Sequence, residues 1–158
     1  MKTLIVYATK HGCTETCARK LQEQLPGDVD LRDLKSAGDL HPEDYDAVLI
    51  GGSIHAGRVQ KRVPAFCRRH METLLARTVG LFLCCMEEGE KAQKQFNDAF
   101  PEELRKHARA QGLFGGAFDF ERMNFLERKI IKKISGVESS VSRISSDAID
   151  RFAADLKG

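Results

Sequence analysis

Six consecutive residues, "TKHGCT" from Thr9 to Thr14, bring together two hydroxyls, an ammonium, an imidazole, a thiol and a glycine. Hydroxyls are neutral donors, Lys10 and His11 add positive charge, and Gly12 lets backbone approach a ligand closely or take a positive φ. The apolar run before the segment and the helical pattern after it place these groups at a helix amino terminus. There, unpaired backbone N–H groups and the helix dipole favour an anion. A phosphate is the ligand this chemistry suits. Neither G-x-G-x-x-G nor G-x-x-x-x-G-K-[ST] is present, so the dinucleotide fingerprint and the nucleoside-triphosphate loop are excluded. The plainer alternative is that Thr14 caps the helix and Gly12 turns the chain, a reading that leaves Thr9 without a purpose.

The elements that must position this loop follow from hydrophobic periodicity. "TLIVYA" at 3–8, "DAVLIGG" at 46–52 and "TVGLFLCC" at 78–85 are continuous apolar runs, the pattern of strands covered on both faces of a parallel sheet. "VDLRDL" at 29–34 alternates like an edge strand, and "GLFGGAFDF" at 112–120 is a glycine-containing fifth. Between them lie helical patterns from Thr14 to about Leu25, over 60–76 and over 90–110 with a break at Pro101, and two helices close the chain. Alternating strand and helix predict a doubly wound α/β domain spanning 1–158, with a five-stranded parallel sheet. Ligands of such sheets sit beyond the carboxyl ends of the strands, so the loops after residues 8, 52 and 85 are the places for a site.

At 158 residues and 42% hydrophobic content the chain is the size of one domain. A formal net charge of +2 makes no global case for nucleic acid. No apolar run approaches the roughly 18 residues of a membrane span, and the amino terminus lacks a signal peptide's longer apolar region, so a cytoplasmic protein is expected. Five cysteines, Cys13, Cys17, Cys67, Cys84 and Cys85, are odd in number and irregular in spacing, which points to reduced thiols and no disulfide framework. Cys13 and Cys17 lie four apart on a helix, whereas Cys84 and Cys85 are neighbours on a strand and point to opposite faces. Neither pair makes a metal site, so core packing is expected and no metal.

"IVYATKHGCTETCARKL" resembles the flavodoxin signature: Tyr7 ends the strand, Thr9, Gly12 and Thr14 stand in the phosphate loop, and Ala18 and Leu21 on the helix. The resemblance implies a flavodoxin-like three-layer sandwich with strand order 2-1-3-4-5, and a loop that cradles the 5′-phosphate of FMN. Where many flavodoxins have a further threonine and an asparagine, this chain has His11 and Cys13, so one hydroxyl contact is lost or replaced. The same resemblance sets the flavin ring between the second loop, Ser53, Ile54, His55, Ala56 and Gly57, and the third, Cys85, Met86, Glu87 and Gly89. The chain has no Trp and no Tyr after Tyr45, so the ring is stacked less tightly than in electron-carrier flavodoxins.

"YDAVLIGGSIHAG" followed by "FCRRH", and later "GGAFDF" with "KIIKKISG", is similar to the flavodoxin-like protoporphyrinogen oxidases that hand electrons to menaquinone. That implies an FMN-dependent oxidoreductase with a small-molecule reductant, a porphyrinogen among the candidates, and a quinone or redox protein as acceptor. The alternative is a flavodoxin-type electron carrier between protein partners. His55 is the candidate catalytic residue, able to transfer a proton near flavin or substrate, against the reading of an idle loop histidine. His70, near a helix end, is read as solvated or stabilised by the helix dipole. Residues 122–134, "RMNFLERKIIKKI", place Met123, Leu126, Ile130, Ile131 and Ile134 on one stripe with basic residues outside it. This stripe either faces the core or makes peripheral contact with the inner face of a membrane.

Overall fold

The structure is a computed structural model that describes residues 1–118, 126, 127, 129, 133 and 141–158. Its elements run in chain order β1 (Lys2–Tyr7), α1 (Cys13–Gln24), β2 (Asp28–Asp33), β3 (Ala47–His55), β4 (Arg58–Val59), α2 (Arg62–Arg69), α3 (Met71–Leu75), β5 (Thr78–Cys84), α4 (Gly89–Ala99), α5 (Glu102–His107), β6 (Ala110–Leu113), β7 (Ala117–Phe118), β8 (Val141–Ser142) and α6 (Ser146–Lys157). Five parallel strands form the main sheet in the order β2-β1-β3-β5-β6. Counting only these five, this is the expected 2-1-3-4-5. β4 is an addition, an antiparallel strand folded back on the end of β3.

Alternation explains the three layers. Leu4, Val6, Val48, Ile50, Leu81 and Leu83 point to one face, where Phe66, Leu74, Phe96, Phe100 and Leu104 from α2 to α5 and the residue after α4 cover them. Ile5, Tyr7, Leu49, Phe82 and Cys84 point to the other, under Cys17, Ala18 and Leu21 of α1 and Ile149, Phe152, Ala153 and Leu156 of α6. β2 at the sheet edge is only half-buried, as its alternating charges require.

Boundaries differ from the periodicity in three places. The helix expected over 60–76 is two, because His70 leaves helical geometry at φ −110, ψ 19. The strand expected over 112–120 ends at Leu113, and Ala117–Phe118 belongs instead to a small antiparallel pair with β8. β3 runs to His55, three residues beyond the apolar pattern, because β4 pairs with its exposed end.

Two glycines in the central strands admit large aromatic rings across the sheet. A Cβ on Gly51 would overlap the Phe82 ring, and one on Gly80 would lie 2.7 Å from Phe152 Cζ. Phe82 is held by Phe114 at 5.1 Å and Phe152 at 5.9 Å between centroids, so it has nowhere to retreat. Gly51→Ala is therefore expected to lower stability by about 1–3 kcal/mol, the usual effect of overpacking. Urea unfolding should show an earlier midpoint at constant slope, and adding Phe82→Leu should restore part of it. An unshifted midpoint in Gly51→Ala would refute the packing argument.

Candidate functional site

The ladder between β1 and β3 continues one bond past Tyr7, with Ala8 N–H donating to Gly51 O at 3.1 Å. Thr9 then leaves the sheet at its carboxyl end. Gly12, at φ 91, ψ −3, turns the chain through the left-handed region into the N-cap position of α1. Its N–H donates to Thr9 Oγ1 at 2.9 Å, which closes the loop on itself. Its carbonyl accepts from both the N–H and the hydroxyl of Thr16, each at 3.0 Å.

Among the described residues no side chain caps α1. Thr14 lies inside the first turn, so the capping reading fails. The residue is fully buried, and its Oγ1 has no hydrogen-bond partner among the described residues. A buried hydroxyl left unpaired is destabilising by roughly 1–3 kcal/mol, and an uncapped helix start presents unpaired N–H groups beside it. Both features suit an oxyanion bound to the loop.

The remaining loop residues reach outward and meet the second segment. Lys10 Nζ stands 3.0 Å from His55 Nε2, and the His11 and His55 rings meet edge to face at 5.7 Å. The sequence offered no sign of the fourth member, Glu127, whose Oε2 lies 2.8 Å from His11 Nε2 and 3.4 Å from Lys10 Nζ. It comes from a stretch more than 110 residues downstream, inside a basic pattern that directs attention to its lysines. Burial, and then the charges of Lys10 and His11, hold the His55 pKa below the ordinary 6.5, with Glu127 opposing them. A neutral imidazole accepting from the Lys10 ammonium is the consistent state. His11, His55 and Glu127 bring ligand atoms within 4.8 Å of one another, but Lys10 already supplies a positive charge against two of the three.

Ser53, Ile54 and His55 lie on β3 rather than in a loop, and Ala56 and Gly57 make the two-residue turn to β4. Both turn residues have positive φ, 50 for Ala56 and 79 for Gly57, the turn that matches the twist of a hairpin. Ala56 is the only non-glycine residue with positive φ among those described. Gln60, which sequence reasoning passed over, braces this segment: it accepts from Ser53 N–H at 3.0 Å and donates to Ser53 Oγ at 2.8 Å. In the third loop Cys85 is buried, bonded through its N–H to Gly115 O at 2.9 Å, and burial pushes its pKa up to about 11. Met86 is half-buried against Gly116, whereas Glu87 and Gly89 are exposed.

The cysteines do not stay in the pairs that their spacing suggests. Cys84 and Cys85 do point to opposite faces, but Cys84 thereby meets α1, with its Sγ 3.6 Å from Cys17 Sγ. Cys13 hydrogen-bonds to both, and with burial this pushes Cys17 up to about 12 and Cys84 well above the ordinary thiol value. His70 packs on Phe66 at 4.7 Å. Of the 122–134 stripe, Leu126, Lys129 and Lys133 are exposed, while Arg122, Met123, Arg128, Ile130, Ile131, Lys132 and Ile134 lie outside the described residues. No helix among the described residues is long and apolar enough to cross a membrane. An open cavity lined by Glu43, Tyr45, Arg77 and Arg109 lies at the amino ends of β3 and β5, opposite the loops described above.

Comparison with known proteins agrees with this geometry. The family profile described as "Flavodoxin domain" matches residues 4–143. A protein of Leishmania major named protoporphyrinogen IX dehydrogenase (quinone) is 26% identical, over 98% of this chain and 74% of its own length. The Escherichia coli K12 protein of the same name is 24% identical, over 90% and 85% respectively. The crystal structure of an oxidised flavodoxin from Bacillus cereus superposes with a TM-score of 0.58 at 16% identity, covering 99% of this chain and 97% of that one. At that identity the match speaks for the fold.

The His55 cluster makes a pH prediction. With its pKa held below 6.5 in the fold, His55 takes up its proton later than in the unfolded chain. Its contribution to stability is complete above about pH 6.5 and is lost as the pH falls from there toward the depressed value. An NMR titration of the imidazole should therefore give a midpoint below that of a free histidine. Lys10→Met should raise it only part of the way, because burial is the larger cause. Full return to the ordinary value would assign the shift to charge, and no change at all would remove Lys10 from the cluster.

Proposed function

Since this chain belongs to the flavodoxin-domain family, we propose that it holds FMN and acts as an oxidoreductase, taking electrons from a reduced substrate and passing them to a quinone. The observation that carries this is the loop Thr9–Thr14, where among the described residues no side chain caps the helix start and the buried Thr14 hydroxyl has no partner. Thr9, Thr14 and the first-turn N–H groups would hold the phosphate, with Lys10 adding charge. Ser53 to Gly57 and Cys85 to Gly89 would flank the ring. When bound, FMN supplies a ring system that accepts electrons and returns them to a second partner.

The chain's own work is positioning and charge. Gln60 braces Ser53 beside the ring segment, and the Ala56–Gly57 turn sets the height of its rim. His55 Nε2 is neutral and so able to take a proton from a substrate carbon or heteroatom. Glu127 is the anion that Lys10 and His11 hold at the mouth of the loop, so an incoming phosphate competes with it.

The names carried by the Leishmania and Escherichia relatives support a porphyrinogen as reductant and a quinone as acceptor. The segments 53–57 and 85–89 contain no aromatic ring other than His55, which leaves the flavin less covered and more open to a bulky planar substrate. An electron carrier between protein partners would call for an acidic docking face and a tight aromatic clamp, and a net charge of +2 does not favour it. Exposed Lys129 and Lys133 fit peripheral contact with the anionic inner face of a membrane, where a quinone is dissolved.

Purified protein should carry or take up FMN, seen in its visible spectrum, and should oxidise protoporphyrinogen anaerobically when a quinone is added. Reduction by a protein partner alone, with no porphyrinogen turnover, would favour the carrier. Thr14→Val should weaken FMN binding by about 10-fold or more, the worth of one hydrogen bond to a charged group. Glu127→Gln should tighten it severalfold by removing the competing anion. Unchanged affinity in both variants would move the phosphate elsewhere.

A further inference from the structure

Three thiols converge beneath the loop: Cys13, the first residue of α1, Cys17 one turn later, and Cys84, the last residue of β5. Their Sγ atoms all lie within 4.8 Å of one another, with Cys17 and Cys84 at 3.6 Å. We propose that they form a binding site for a soft monovalent cation, Cu(I), coordinated by the three sulfurs.

The geometry selects the ion. A trigonal site with metal–sulfur bonds of about 2.3 Å puts its sulfurs about 4 Å apart, close to the observed separations. Zinc prefers four ligands in a tetrahedron, and no histidine, carboxylate or further thiol joins the three among the described residues. The surroundings are apolar, with Ile5, Ala18, Leu49 and Phe82 in the same cluster, so water is a poor fourth ligand. Thiolate softness and low coordination number both favour Cu(I) over harder divalent ions.

Charge and access are also provided for. Each ligating thiol gives up its proton to solvent, and the ion keeps the resulting thiolate in place. Without metal, hydrogen bonds among the three and burial keep Cys17 and Cys84 as thiols, so the ion itself must drive loss of their protons. Cys17 and Cys84 are 0% and 1% exposed, but Cys13 is only partly buried and gives the ion its way in from the loop. Coordination would tie the loop after β1 to the end of β5.

The test needs no flavin, so it stands or falls separately from the FMN proposal. Full-length reduced protein, as purified and again after FMN saturation, is titrated anaerobically with Cu(I) buffered by bicinchoninate. One Cu(I) per chain should be withdrawn from the chelator, with new thiolate-to-copper absorption in the near ultraviolet. Cys84→Ala should weaken uptake by about 100-fold or more, beyond the usual loss of a supporting contact. Cys13→Ser, at the partly exposed position, should do the same with an unchanged circular dichroism spectrum, and Cys67→Ala should bind like the parent. Uptake unaffected by Cys84→Ala and Cys13→Ser, zinc retained as tightly as Cu(I), or a Cys17–Cys84 disulfide in place of metal would each overturn the assignment.

Discussion

The site depends on one backbone constraint: the chain must pass from a strand buried on both faces directly into a helix whose start is left uncapped. Gly12 makes this possible by adopting φ 91, a conformation that costs an L-residue with a side chain roughly 1–2 kcal/mol. With that turn in place, Thr9 bonds the Gly12 N–H and Thr14 is drawn into the first turn with its hydroxyl buried. A capping side chain at this position would satisfy the helix and remove its reason to bind anything. The local stability given up at the helix start is what leaves donors available to a ligand.

Around that turn, the charged groups are organised by the sheet. β1 and β3 are neighbours in register, Tyr7 opposite Gly51, so the segments that leave their carboxyl ends lie side by side. Lys10 and His55 consequently meet although 45 residues separate them. Glu127 completes the group by balancing Lys10 and His11. An anion proposed for this loop would bring the same kind of charge that Glu127 already provides beside Lys10.

The sheet also accounts for the thiols and the rim. Because β5 places successive side chains on opposite faces, Cys85 faces the α2–α5 layer while Cys84 reaches α1. Gly51 and Gly80 serve the same architecture from within, leaving room for Phe82 and Phe152 where the helical layer closes over the sheet. The β3–β4 hairpin, with Ala56 at positive φ and Gln60 clasping Ser53, extends the strand past the apolar core.

The order of strands and helices, the two-faced burial of the central strands and the tight turn from strand to helix at Thr9–Thr14 were all legible in the sequence, because each rests on neighbours a few residues apart: apolar periods, a glycine between hydroxyls, a proline that ends a helix. Lengths near the sheet's open end were less so, since β3 is prolonged by pairing with β4 and not by its own apolar residues. Glu127, Gln60 and the meeting of Cys84 with Cys13 and Cys17 left no local trace. Those contacts join residues that only chain crossover and strand register bring within a few ångströms, and no spacing along the chain encodes a distance across a sheet.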